Sequence, residues 1–289
     1  MAVIKEAKKL SLSYFSKDKI ICPVCKKAFS REIMRSGNGR MIAGKLTDEL
    51  HRNFEPSAKY GRVFPMIYEI GACPNCYTAM FWGDFKEKFQ REDTDLLFSK
   101  ARERKEKAET IFPYFSLKHE RTLYDGAAMY YLALLTYDDL GVYMTPTLKK
   151  GILSLRLAWL THDMDLLCSD HNFDIISKVF YSKALYFYQQ SLYCETDKTE
   201  ASSSLGNMGP DIDKNYGWDG VVYLCGLLEY KYGQQDDMQL RMKKLSESKT
   251  AIARIFGLGK SSKSKPGPLL EHARDLYDKI SKLVADDEF

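Results

Sequence analysis

Two short stretches, Cys22-Pro23-Val24-Cys25 and Cys73-Pro74-Asn75-Cys76, hold the residue types best suited to chemistry in this chain. A Cys-x-x-Cys turn aims two thiolates at one point. A second turn of the same kind completes the four soft ligands that tetrahedral Zn²⁺ prefers. Cys22, Cys25, Cys73 and Cys76 are therefore read as the ligands of one structural Zn2+ ion. Pro23 and Pro74 each fix one φ of the turn and leave later backbone N–H groups free to point at sulfur. Rubredoxin-like iron uses the same four sulfurs and is the alternative metal. A thioredoxin-type dithiol would need one pair in a βαβ setting, and no Gly-rich parallel βαβ pattern surrounds either pair. The 47 residues between Cys25 and Cys73 exceed the spacing of a compact ribbon, so the pattern points to a metal and less to a particular zinc fold. His51 lies between the pairs and is a further ligand type, but four cysteines already meet the four-coordinate norm.

The elements that must position these ligands divide the chain at Gly83. Residues 1–83 are expected to form a small zinc-ribbon-like β module, and 84–289 an all-α domain of helical hairpins, so the fold class is mainly α. Residues 1–19 read as a Lys-rich, loosely ordered lead-in. Ile20-Ile21 runs into the first cysteine turn, and Lys26 to Ile33 leaves it as a hairpin arm or a helix turn, up to a turn signal at Gly37-Asn38-Gly39. Residues 47–65 are polar and read as an irregular insertion over the metal site. Met66 to Ile70 is a β-rich run that delivers Cys73.

Helical patterns follow. Asp84 to Phe112 is charge-laden and ends before Pro113. Asp125 to Leu140 is apolar nearly all round, which predicts an interior helix stopped by Gly141. From Pro146, residues Leu148, Ile152, Leu155 and Trp159 mark one helix face, and Phe173 to Glu195 carries a second such face that should pack on it. Residues 196–218, rich in Ser, Gly and Pro, read as a mobile loop. Helices are then expected over 218–233, 236–256 and 269–284, with a flexible basic linker over 257–268. That linker lacks the Gly-x4-Gly-Lys-Ser/Thr spacing of a phosphate-binding loop.

Composition sets the class. The 289 residues are 45% hydrophobic and 28% charged, ordinary for a folded chain. No apolar run approaches the roughly 18 residues of a membrane span, and the N-terminal residues lack a secretory pattern, so a cytoplasmic location is expected. Seven cysteines, an odd number, suit a reducing compartment. The net charge of +4 hides an asymmetry: residues 1–83 carry 14 Lys and Arg against 7 Asp and Glu, the remainder 29 against 32. A basic metal module admits nucleic-acid binding as an alternative function, although no aromatic platform is interleaved with its cations.

Small and aromatic residues on the helices hint at tetratricopeptide packing. Gly226 and Gly233 are seven residues apart, and Ala184, Tyr188 and Ser191 match part of a second helix. Tyr130, Tyr131, Tyr181, Tyr186, Tyr188, Tyr223 and Tyr230 would line groove edges and offer a peptide-binding wall. The paired Cys-Pro-x-Cys turns, the polar insertion with Asp48 and Tyr60, and the helical region together resemble a family of bacterial proteins classed as a domain of unknown function. Family members often carry Gly after the last cysteine, where this chain has Tyr77. The resemblance implies a cytoplasmic bacterial protein with a metal knuckle and a helical interaction domain.

A non-enzymatic adaptor or scaffold, with a protein or peptide partner on the helical domain, is therefore the expected function. A metal-dependent hydrolase would need a second site, for which His162, Asp163 and His171 are the candidates. Cys168, Asp170 and Asp174 lie in the same stretch. A helix junction accounts for these residues better, with Asp170 as a cap. Cys194 and Cys225 read as inert core residues.

Overall fold

The computed structural model describes residues 11–256 and 265–286. Three antiparallel hairpins come first. β1 (Ser13–Ile21) pairs with β2 (Ala28–Met34) across the first cysteine turn, with Ile20 opposite Phe29. β3 (Ile42–Leu46) pairs with β4 (Arg52–Glu55). After a 3₁₀ turn at Pro65–Tyr68, β5 (Ile70–Ala72) pairs with β6 (Ala79–Phe81) across the second cysteine turn. Each hairpin is its own two-stranded sheet. The lead-in expected over 1–19 is strand from Ser13. Most of β1 is exposed, so it lacks the apolar alternation by which a strand is read, and pairing with β2 defines it. Residues 1–10 lie outside the described residues. Of the run expected to be β from Met66 to Ile70, Met66 to Tyr68 lie instead in the 3₁₀ turn, with Pro65 at its start fixing a helical φ, and Ile70 opens β5.

The helices among the described residues are α1 (Arg91–Ser99), α2 (Ala101–Ile111), α3 (Leu123–Tyr137), α4 (Pro146–Leu167), α5 (Phe173–Asp197), α6 (Gly217–Tyr232), α7 (Met238–Phe256) and α8 (Gly267–Asp286). The protein is thus mainly helical, with small strand pairs toward the N-terminus. Successive helices from α2 to α8 pack on one another. The segment 84–112, expected as one helix, breaks at Lys100 into α1 and α2. Arg104 Nη2 satisfies the carbonyl oxygen of Leu97 near that break (2.7 Å).

α3 is the centre of the fold. Thr122 and Asp125 form a capping box at its N-terminus. One side of α3 packs on α2 and α4, the other on β5, β6 and the Pro65–Tyr68 turn. Gly126 permits this approach, because a Cβ there would meet Ile67 Cγ2 at 2.6 Å. The open edge of β6 is satisfied by α3 side chains: Ala79 N–H donates to Thr136 Oγ1 (3.1 Å) and Phe81 N–H to the Tyr137 hydroxyl (3.2 Å). One hydrophobic core runs from Cys22 to Ile280.

Residues 196–218, expected to be mobile, fold back onto α4. Met208, Gly209, Pro210 and Asp211 are buried. Arg156, itself buried, donates to the carbonyl oxygens of Gly209, Pro210 and Asp211 (3.3, 2.7 and 3.3 Å). Glu200 accepts from Thr147 N–H (3.0 Å) at the start of α4. A Gly-, Ser- and Pro-rich composition rules out regular structure but not packing, and here the anchoring donors come from another element. Of the expected linker, residues 257–264 lie outside the described residues.

The insertion expected over the metal site docks instead on α4, α5 and α6. The β3–β4 turn presents Asp48-Glu49-Leu50-His51, with Leu50 fully buried in the left-handed region (φ 57°). Glu49 Oε2 accepts from Trp159 Nε1 (2.5 Å) and the Tyr181 hydroxyl (3.0 Å), and Glu49 Oε1 accepts from Lys231 Nζ (2.9 Å). The Asp48 carbonyl accepts from the Tyr223 hydroxyl (2.7 Å). His51 stacks on Trp159 and hydrogen-bonds through Nδ1 to Asp211 (2.6 Å). Tyr130, Tyr188 and Tyr223 are fully buried, not at groove edges. Two of their hydroxyls reach back to the β module, Tyr130 to the Met66 carbonyl (2.9 Å) and Tyr223 to that of Asp48.

Burial pushes the Tyr181 phenol up and the adjacent Glu49 carboxylate pushes it further. Burial is the largest single influence on Asp211 and would raise it, but the hydrogen bond and charge of His51 together with the backbone N–H groups of Arg52 and Ile212 outweigh it and hold the carboxyl below the usual aspartate range. Removing Glu49 leaves the Trp159 and Tyr181 donors without an acceptor and Lys231 with Asp48 alone. Glu49→Ala is expected to cost about 3–5 kcal/mol in urea unfolding, while exposed Glu103→Ala leaves the midpoint unchanged. A lowered Asp211 stabilises the fold above the ordinary aspartate range and loses that contribution as pH falls through its folded pKa. Asp211→Asn should therefore be less stable than wild type at pH 7, with the gap narrowing in acid; a constant gap would count against this.

Candidate metal centre

Each cysteine turn is the same backbone device. Cys22 N–H donates to the Lys27 carbonyl (3.0 Å) and Lys26 N–H to that of Cys22 (3.0 Å). In the second turn Cys73 N–H donates to Thr78 O (2.9 Å) and Tyr77 N–H to Cys73 O (2.9 Å). Such closure needs a left-handed residue after the second cysteine. Lys26 (φ 60°) and Tyr77 (φ 56°) adopt that conformation, so Tyr77 takes the backbone that Gly would accept at lower cost. Tyr77 is held there by an edge contact with Phe115.

The two turns face each other. Cys22 Sγ is 3.6 Å from Cys76 Sγ, and Cys25 Sγ is 3.6 Å from Cys73 Sγ. All four sulfurs lie within 4.8 Å of one another. An ion bonded tetrahedrally to four sulfurs at about 2.3 Å would hold them about 3.8 Å apart, so the four cysteines could hold a metal ion with little movement. Cys22, Cys73 and Cys76 are buried and Cys25 is half-buried.

The electrostatics favour thiolate at one corner. Hydrogen bonds from Cys22 and Cys73 hold Cys76 down to about 2, against its burial. Cys22 is pushed far up by its hydrogen bonds with Cys73 and Cys76 and by burial. Cys73 is lowered by Cys22 but raised more by Cys76 and burial, to about 12. Loading the site with metal therefore means releasing protons from the other cysteines.

A buried cation stands behind the cluster. Arg104, on α2 and only 2% exposed, donates to the carbonyl oxygens of Tyr77 (3.1 Å) and Cys76 (2.9 Å) and to Thr78 Oγ1 (3.3 Å). Thr78 Oγ1 lies 3.2 Å from Cys76 Sγ. Arg104 thus fixes the second turn through its backbone and places positive charge beside four sulfurs. It is invisible in the sequence, one of several charges in Arg102-Glu103-Arg104-Lys105-Glu106-Lys107.

The other candidate residues do not converge. His51 is engaged by Asp211. Asp163 pairs with Arg62 (2.5 Å), and His162 and His171 are exposed. Among the described residues the four cysteines are the one cluster of metal-ligating groups. Asn172, not Asp170, occupies the position before α5, without a side-chain cap. Cys225 is buried, Cys194 half-buried and Cys168 exposed.

Arg104→Met keeps the apolar stem of the side chain but leaves the Cys76, Tyr77 and Leu97 carbonyl oxygens without their donor. We expect a loss of about 3–5 kcal/mol and, at equal protein concentration, faster loss of bound metal to a chromogenic chelator. Metal release at the wild-type rate would show that Arg104 does not support the site.

No solved structure matches this chain. A protein of Borreliella burgdorferi, described only as an uncharacterized protein, is 42% identical over 272 residues, which cover 94% of this chain and 97% of the relative. The family model described as "Uncharacterized protein conserved in bacteria (DUF2225)" matches residues 15–280, a span that holds both cysteine turns and every helix from α1 to α7. With the paired Cys-Pro-x-Cys turns inside that match, the chain belongs to the DUF2225 family of bacterial proteins.

Proposed function

We propose that this chain is a non-catalytic binding protein in which one structural zinc ion fixes the β module and the helical domain receives a peptide segment of a partner protein. The observation that carries the partner reading is an apolar cleft of about 930 Å³ between the ends of α2, α3, α4 and α5. Ile111, Leu123, Met164, Leu167, Phe173 and Ile176 line it. Its surroundings are unusually greasy for free surface: Leu166 and Leu167 are each 62% exposed, Ile175 56% and Tyr114 96%. Asp165, in the last turn of α4, and Asp170, in the turn that follows, are close in sequence to the lining residues Met164, Leu167, Cys168 and His171 and have no ion-pair partner among the described residues. An apolar floor with an acidic border suits a segment that carries two or three apolar anchors flanked by Lys or Arg, the pattern of helix-in-groove recognition.

The zinc assignment is supported by four sulfur ligands, which leave no open coordination position of the kind a catalytic zinc keeps. We place the protein in the cytoplasm on the redox argument from its cysteines. Among the described residues no helix is long and apolar enough to cross a membrane.

Elemental analysis of the purified protein should find about one zinc per chain and an absorption spectrum without visible bands, and Cys76→Ser should lose the ion. Iron with thiolate colour would overturn the zinc assignment. For the cleft, selection of displayed peptides should enrich sequences with apolar residues at helical spacing beside basic ones. A selected peptide should bind Leu167→Asp at least tenfold more weakly. Failure to enrich that pattern, or unchanged binding by the variant, would reject the partner reading.

A further inference from the structure

A second cavity, of about 510 Å³, lies on the other side of the molecule's centre, where β2 and the end of β6 meet the first half of α4 and the 205–209 segment. Its size is within the usual span of small-molecule sites, about 300–1,000 Å³. Trp82, Phe81, Met144 and Ile152 supply an apolar wall.

Its charged groups separate into those already engaged and those left over. Lys149 Nζ donates to Asp84 (2.7 Å), and Asp84 also accepts from the Tyr137 hydroxyl. Arg156 is engaged by three carbonyl oxygens, as described above. Glu87 and Lys88 stand at the exposed rim. Arg31 and Glu69 remain. The Arg31 guanidinium lies over the Trp82 ring, 4.8 Å from its centroid, and its Nε is buried with no acceptor. Glu69 closes the Pro65–Tyr68 turn through its backbone N–H, while its carboxylate has no partner among the described residues. Arg31 and Glu69 line the same cavity but do not bridge each other.

A buried donor without an acceptor destabilises a fold unless something else satisfies it. Here that donor belongs to a side chain that lines the same space as Glu69, a half-buried carboxylate of opposite charge with no hydrogen-bond or ion-pair partner among the described residues, beside an aromatic and aliphatic wall. The cavity also borders Thr145, a β-branched residue in the left-handed region (φ 48°), the kind of backbone strain that collects at ligand sites.

We propose that this cavity binds a small zwitterion, an apolar amino acid or a short peptide. The carboxylate of the ligand sits on Arg31, its ammonium on Glu69, and its side chain against Trp82 and Ile152. Each unpartnered group then gains a charge-assisted hydrogen bond in a partly enclosed space. The site is separate from the apolar cleft, and each can fail without the other.

Titration calorimetry on the full chain tests this with free apolar amino acids and two-residue peptides, set against their N-acetyl derivatives and the corresponding amines. The expected result is saturable binding of at least one zwitterion, with its N-acetyl and decarboxylated analogues at least tenfold weaker. Arg31→Met and Glu69→Gln, each shown to be folded by circular dichroism, should weaken that zwitterion at least tenfold, and Lys88→Ala at the rim should not. The proposal is overturned if no zwitterion in the panel binds the wild-type chain. It is also overturned if the N-acetyl analogue binds as tightly as its parent, or if folded Arg31→Met and Glu69→Gln bind like wild type.

Discussion

Four cysteine sulfurs held within 4.8 Å of one another cannot all ionise without a cation between them, and most of the architecture near them answers that constraint. The two turns that carry the sulfurs come from separate two-stranded hairpins, which are marginal on their own. β5–β6 is three residues on each strand, so its placement depends on α3, whose Thr136 and Tyr137 hydroxyls accept its outer amides, and on α2, whose Arg104 grips the turn. The cysteine cluster is therefore a joint between the first hairpins and the helices, and its geometry depends on residues far from the cysteines in sequence.

Buried charge recurs wherever a hairpin meets the helical region. Glu32 on β2 pairs with Arg121 ahead of α3 (3.2 Å), and Arg121 also donates to the carbonyl oxygens of Ile67 and Ile70 (2.7 Å each). Arg104 does the same for the second cysteine turn, and Glu49 with Lys231 and Trp159 for the β3–β4 hairpin. Buried ion pairs add little net stability over well-packed apolar groups, but leaving one half unpaired is costly. Three such contacts at three hairpins select one docking register from the many that apolar packing alone would tolerate.

α4 is the element common to both candidate ligand regions. Its first turns present Lys149, Ile152 and Arg156 to the polar cavity, and its last turns present Met164 and Leu167 to the apolar cleft. Between these regions the helix is almost wholly buried. The two regions differ in chemistry for a simple reason. The first is walled by the β module, which brings Arg31 and Glu69, and by the uncharged 205–209 segment. The second is walled by the ends of α2, α3 and α5, where Ile111, Leu123, Phe173 and Ile176 supply an apolar floor beside the uncharged Thr110, Tyr124 and Asn172.

How much of this is legible in the sequence depends on range. The cysteine spacing names the ligands, because two adjacent thiolates in a tight turn are a local arrangement that needs no fold to predict. The helices from α3 onward follow from apolar periodicity and the proline that opens α4, both local signals. The β1 strand, the break at Lys100 and the left-handed Tyr77 leave weaker traces, since each is stabilised by a partner outside its own segment. The docking of Asp48-Glu49-Leu50-His51, the anchoring of 205–211 by Arg156 and the role of Arg104 leave no sequence signal. Their partners lie up to 183 residues away, as for Asp48 and Lys231. A charged side chain in a polar stretch reads the same whether it faces water or a buried carbonyl, and only the tertiary fold decides between them by removing the water.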